Sequence, residues 1–175
     1  MKKPPPCPDC GLVTGPVEGP VHAYIGGSPG CWASFNELMT IGAGPQVTGQ
    51  LIGDAYAVQH PGRPERRAIQ SVCVHAINLC VRFERAVPEN TLQDLMRTAL
   101  RHPDWWQVLD LPRPIGGYNV GEILADPDPL TRGCAVQSWS EDIWATYRPH
   151  LRMILIGGQP VGTCRSPGHA HEDSG

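Results

Sequence analysis

Two cysteines set two residues apart, Cys7 and Cys10 in Cys7-Pro8-Asp9-Cys10-Gly11, lie in a proline-rich leader with no hydrophobic periodicity. That gap lets both sulfurs face one tetrahedral ion, and the glycine behind them permits the tight turn of a metal knuckle. One knuckle supplies half of a closed zinc site. Cys31, in Ser28-Pro29-Gly30-Cys31-Trp32, is the third thiol, at a helix start where free N–H groups favour a thiolate. His60, in Gln59-His60-Pro61-Gly62, ends a helix just before a turn, so its ring is free to leave the core. The four make a Cys3His set, which zinc accepts. Each also has a plainer use. Cys7 and Cys10 fit an unstructured leader or a redox pair, Cys31 fits packing beside Trp32, and His60 fits a cap on helix-terminal carbonyls. A redox pair would open a helix after a strand, and no strand is read here. Asp54, Tyr56 and Gln59 are expected to support the ligands through hydrogen bonds behind them.

A second ligand set competes. His60, His75 and His150 come from three predicted helices and would surround one ion in the way bundles build interior metal sites. An open coordination position beside three imidazoles would make that metal catalytic, with Asp54 or Glu84 orienting a ligand. His169 and His171, beside Glu172 and Asp173, read as a solvated tail. The glycine pairs at 26–27 and 157–158 lack the strand, the helix and the lysine of a phosphate loop. No Gly-x-Ser-x-Gly elbow and no His-Glu-x-x-His occurs. Trp105 and Trp106, near Arg101 and His102, suit loop packing or an exposed patch for a protein partner better than base stacking.

The elements that must position these residues are helical. Trp32, Phe35, Leu38 and Met39 space one face of a helix from about Cys31 to Met39. Thr48 is a good N-cap for a second helix to Gln59, stopped by Pro61. Residues 66–85 carry the clearest periodicity, with Ile69, Val72, Cys73, Ala76, Leu79, Cys80 and Phe83 on one stripe. On this stripe Cys73 and Cys80 are small buried hydrophobes. Asn90 caps a fourth helix ending before Pro103, and a short one is predicted over Val120–Ala125. The last long helix follows Pro129 and carries Val136, Trp139, Ile143, Trp144 and Tyr147; beyond Pro149, Leu151–Ile156 would add one or two turns. No stretch alternates with period two. The expected architecture is an all-α, single-domain irregular bundle of about five to six helices. Residues 1–30 form a leader docked on it, 31–156 the bundle, and 157–175 a polar, disordered tail.

Bulk composition narrows the function classes. The chain has 175 residues, enough for one real core. Its 20 glycines and 19 prolines fall short of a disordered composition. A formal charge of −3 gives no footprint for nucleic acid or an anionic membrane. The longest apolar run, Met153-Ile154-Leu155-Ile156, cannot span a bilayer, and Met1-Lys2-Lys3 continues into prolines rather than an apolar signal segment. Cytoplasm is the default compartment, and seven cysteines there argue against a disulfide framework.

At Cys7-Pro8-Asp9-Cys10-Gly11, Gly30-Cys31-Trp32, Tyr56-Ala57-Val58-Gln59-His60-Pro61-Gly62 and Val72-Cys73-Val74-His75, the chain resembles a bacterial family of unknown function, over roughly residues 5 to 155. The resemblance implies a small helical bacterial protein with ligands at Cys7, Cys10, Cys31 and His60, and it implies no reaction. One departure is Gln50, where many relatives place a histidine ten residues before His60.

Overall fold

The computed structural model describes residues 5–85, 93, 94, 97, 101, 111, 113–156 and 159–164, the stretch from 150 onward by its backbone. Among the described residues five α-helices make up the body, in the all-α class that the sequence predicts. They are α1 (Pro29–Ile41), α2 (Gly49–Gln59), α3 (Arg66–Arg85), α4 (Val120–Leu124) and α5 (Pro129–Tyr147). A 3-10 turn at Arg148–His150 leads into a two-stranded antiparallel ribbon, β1 (Leu151–Ile156) and β2 (Gln159–Cys164). No helix among the described residues is long and apolar enough to cross a membrane.

Local chemistry sets the helix ends. Ser28 caps α1, its hydroxyl accepting from the Cys31 N–H at 3.3 Å, with Pro29 at the first helical position. Thr48 caps α2 through the Leu51 N–H at 3.3 Å. Asn119 and Glu122 form a reciprocal capping box on α4. α3 occupies the residues its periodicity predicts, and its Val72, Cys73, Ala76, Leu79 and Cys80 are buried.

α2 lies at the centre, against α3 on one side and α5 on another, and it also touches α1. That placement explains why every residue from Asp54 to Gln59 is buried, polar ones included. The buried Trp139 on α5 donates its indole N–H to Gln59 Oε1 at 3.1 Å. Gln59 Nε2 donates to the carbonyls of Ile115 (2.7 Å) and Tyr118 (2.6 Å). The Tyr147 hydroxyl donates to the Val58 carbonyl at 2.8 Å. These bonds fix the last turn of α2, the turn that delivers His60.

Three expectations change. Leu151–Ile156 pairs as a strand with Gln159–Cys164, Leu151 opposite Cys164 and Ile156 opposite Gln159, instead of continuing the last helix. Pro149 withholds a backbone donor that a continued helix needs, and the Ile-rich run suits a pleated ribbon. The same pairing gives residues 159–164 regular structure inside the stretch read as tail. Met39, placed on the core face of α1, is instead 43% exposed, because the buried stripe of that helix is Gly30, Cys31, Phe35 and Leu38. Most of the predicted helix at 90–100, the aromatic pair Trp105 and Trp106, and His169 and His171 lie outside the described residues.

Candidate metal centre

The leader folds into a knuckle by its own backbone bonds. The Cys7 N–H donates to the Leu12 carbonyl and the Gly11 N–H to the Cys7 carbonyl, both at 2.8 Å. Gly11 has φ +74°, in the left-handed region that glycine enters without penalty. Cys31 comes from the first turn of α1. His60 comes from the C-cap of α2, where its carbonyl accepts the Gly26 N–H at 2.9 Å and an isolated bridge joins Ile25 to Pro61.

These separate segments bring Cys7, Cys10, Cys31 and His60 together. One ligand atom from each lies within 4.8 Å of every other, and all four residues are buried. Cys10 Sγ is 3.6 Å from Cys31 Sγ, and Cys31 Sγ is 3.2 Å from His60 Nε2. A sulfur–sulfur bond would be about 2.05 Å, so the pair is unbonded. Tetrahedral zinc with Zn–S near 2.3 Å and Zn–N near 2.05 Å sets S–S edges of about 3.8 Å and S–N edges of about 3.6 Å. The two observed edges fall close to those lengths. His60 Nδ1 lies 2.8 Å from the Tyr56 carbonyl, which can only accept. The Nδ1 proton is therefore fixed there, and Nε2 is the nitrogen turned to the thiols.

Crowding shifts the protonation of Cys7, Cys31 and His60. Hydrogen bonds from the Cys10 and Cys31 thiols pull Cys7 far below the ordinary thiol range. Donation to Cys10 and Cys7, with burial, pushes Cys31 far above it. Burial works against a charged His60, yet hydrogen bonds to Cys10 and Cys7 prevail and push it up to about 9. Crowded sulfur acceptors thus hold protons that a divalent cation would displace.

Around this cluster sit groups the sequence reading did not assign. Asp9, inside the knuckle and buried, accepts from Arg113. Burial raises its carboxyl, and Arg113 and His60 oppose that rise. The Asp9 carbonyl also accepts the Ile115 N–H at 2.7 Å, so the knuckle is tied to the chain ahead of α4. An aspartate between two ligand cysteines was the only hint of this. Of the expected supports, Tyr56 packs its ring at a tilt against His60 with centroids 4.2 Å apart, and Gln59 braces the last turn of α2. Asp54 belongs elsewhere: its Oδ1 accepts from His75 Nδ1 (2.6 Å), Gln50 Nε2 (2.8 Å) and Asn78 Nδ2 (2.9 Å). His60 is thus turned to the thiols and His75 to Asp54, and the described part of His150 is its backbone. Glu84 accepts from Trp144 Nε1 at 2.9 Å, near the end of α3.

Residues 5–148 match the model of a family of unknown function, DUF5946, and the chain belongs to that family. No curated protein and no solved structure matches the chain.

Proposed function

We propose that this member of the DUF5946 family holds one zinc ion through Cys7, Cys10, Cys31 and His60, as a structural clip fastening the leader to α1 and α2. The convergence of three sulfurs and one imidazole nitrogen from separate segments within 4.8 Å carries the reading. Four protein ligands fill a tetrahedral zinc shell, and the four residues are at most 5% exposed, so no position is left for substrate or water. Zinc, rather than a hard cation, follows from the thiolate-rich donor set. Binding at such sites is on the order of 10 kcal/mol, comparable with the roughly 5–15 kcal/mol that stabilises a whole domain. The clip would therefore decide whether the leader stays on the body.

Elemental analysis tests this. Protein purified without chelator should carry about one zinc per chain, and a Cys7→Ser/Cys10→Ser variant essentially none. Equal zinc in both proteins, or none in the wild type, would sink the reading.

A further inference from the structure

Tyr56 is fully buried in the last turn of α2, and its hydroxyl has no hydrogen-bond partner. A buried unpaired hydroxyl is unfavourable and calls for an explanation. The ring is held firmly. It stacks on Phe35 with centroids 4.2 Å apart, meets the tilted His60 ring at the same distance, and leans against Trp32 at 5.9 Å. Position 27 is shaped around the hydroxyl: a Cβ on Gly27 would lie 2.3 Å from the oxygen, so only glycine leaves room for it. The oxygen lies on the metal side of the ring: it and His60 Cδ2 lie 2.3 and 3.5 Å from where a Gly27 Cβ would stand, and Cys31 Sγ is 3.2 Å from His60 Nε2. A phenol is protonated at neutral pH and is therefore a donor.

Three thiolates and a neutral imidazole on a divalent ion leave one net negative charge in a buried place. Such a charge is costly unless donors face it. We propose that the Tyr56 hydroxyl is the donor to the zinc-bound Cys31 thiolate, stabilising the residual charge of the centre and quieting that sulfur as a nucleophile. This rests on the zinc reading above and adds a residue that acts through Cys31.

The test is Tyr56→Phe in the full-length protein, with two readouts. Zinc affinity, measured by competition with a chromophoric chelator, should fall about tenfold or more, as losing a supporting hydrogen bond at a metal ligand usually does. In the cobalt-loaded protein the thiolate-to-cobalt charge-transfer band should move to lower energy, because an unbonded sulfur is the better electron donor. An unchanged band overturns the proposal whatever the affinity does, since a merely structural tyrosine would leave it in place. If Tyr56→Phe does not fold, Gly27→Ala displaces the hydroxyl while keeping the ring, and an unmoved band there is equally fatal. A wild-type protein with no thiolate band at all would instead strike the zinc reading itself.

Discussion

Cys31→Ser should lose its zinc and, with it, much of the stability of the fold. One ligand in four carries a large share of a binding energy near 10 kcal/mol, so a cost on the order of 5 kcal/mol is expected. For a chain of this size each kcal/mol moves the melting midpoint by about 2–4 °C, which puts the drop at roughly 10–20 °C. The local reason is geometric. Cys31 is the thiol that touches both other parts of the cluster, 3.6 Å from Cys10 of the knuckle and 3.2 Å from His60 of α2. Chelating the wild type should reproduce the drop, and Cys31→Ser should change little more once chelator is present. Cys134→Ser, at an exposed position on α5, should stay within about 0.5 kcal/mol of the wild type. A Cys31→Ser protein that melts with the wild type and keeps its zinc would refute the role given to this residue.

Trp139→Ala should be the most damaging substitution in the helical body. The side chain is fully buried, and truncating a buried tryptophan costs about 3–5 kcal/mol through lost transfer energy and a cavity. Here the loss extends further, because the indole N–H bonds Gln59 Oε1. Leaving that oxygen unpaired adds about 1–3 kcal/mol, and the same Gln59 holds the Ile115 and Tyr118 carbonyls beside the knuckle. Trp139→Phe keeps most of the packing and removes the donor, so the unpaired oxygen should cost about 1–3 kcal/mol, on top of a smaller cavity cost than in Trp139→Ala. Chemical denaturation of the zinc-loaded proteins would separate the two contributions. A Trp139→Ala cost under about 1 kcal/mol would mean that α2 and α5 are not packed as described.

The four candidate ligands were legible because each stands at a mark that local chemistry makes visible. Cys7 and Cys10 flank a two-residue gap closed by a left-handed glycine, Cys31 follows a Ser-Pro helix start, and His60 precedes Pro61. α3 is legible for a different reason: its apolar stripe repeats over four turns, and its ends fall where the period stops. What escaped was set by contacts far apart in sequence. Asp9 pairs with Arg113, 104 residues away, and nothing at either position announces the other. The pairing of His75 with Asp54, six residues ahead of His60, is equally silent in the sequence, which offers His75 as well to a set with His60 and His150. Leu151–Ile156 reads as helical turns from sequence because a short apolar stretch fits a helix turn and a strand alike. Only pairing with residues 159–164 distinguishes them.

The central claim is that three sulfurs and one nitrogen of this chain share a single zinc ion. X-ray absorption at the zinc edge of the purified protein measures that shell directly. The expected shell is three sulfurs at about 2.3 Å and one nitrogen at about 2.0–2.1 Å. A shell of nitrogen and oxygen alone would contradict it, because such an ion could not be the one that Cys7, Cys10 and Cys31 surround.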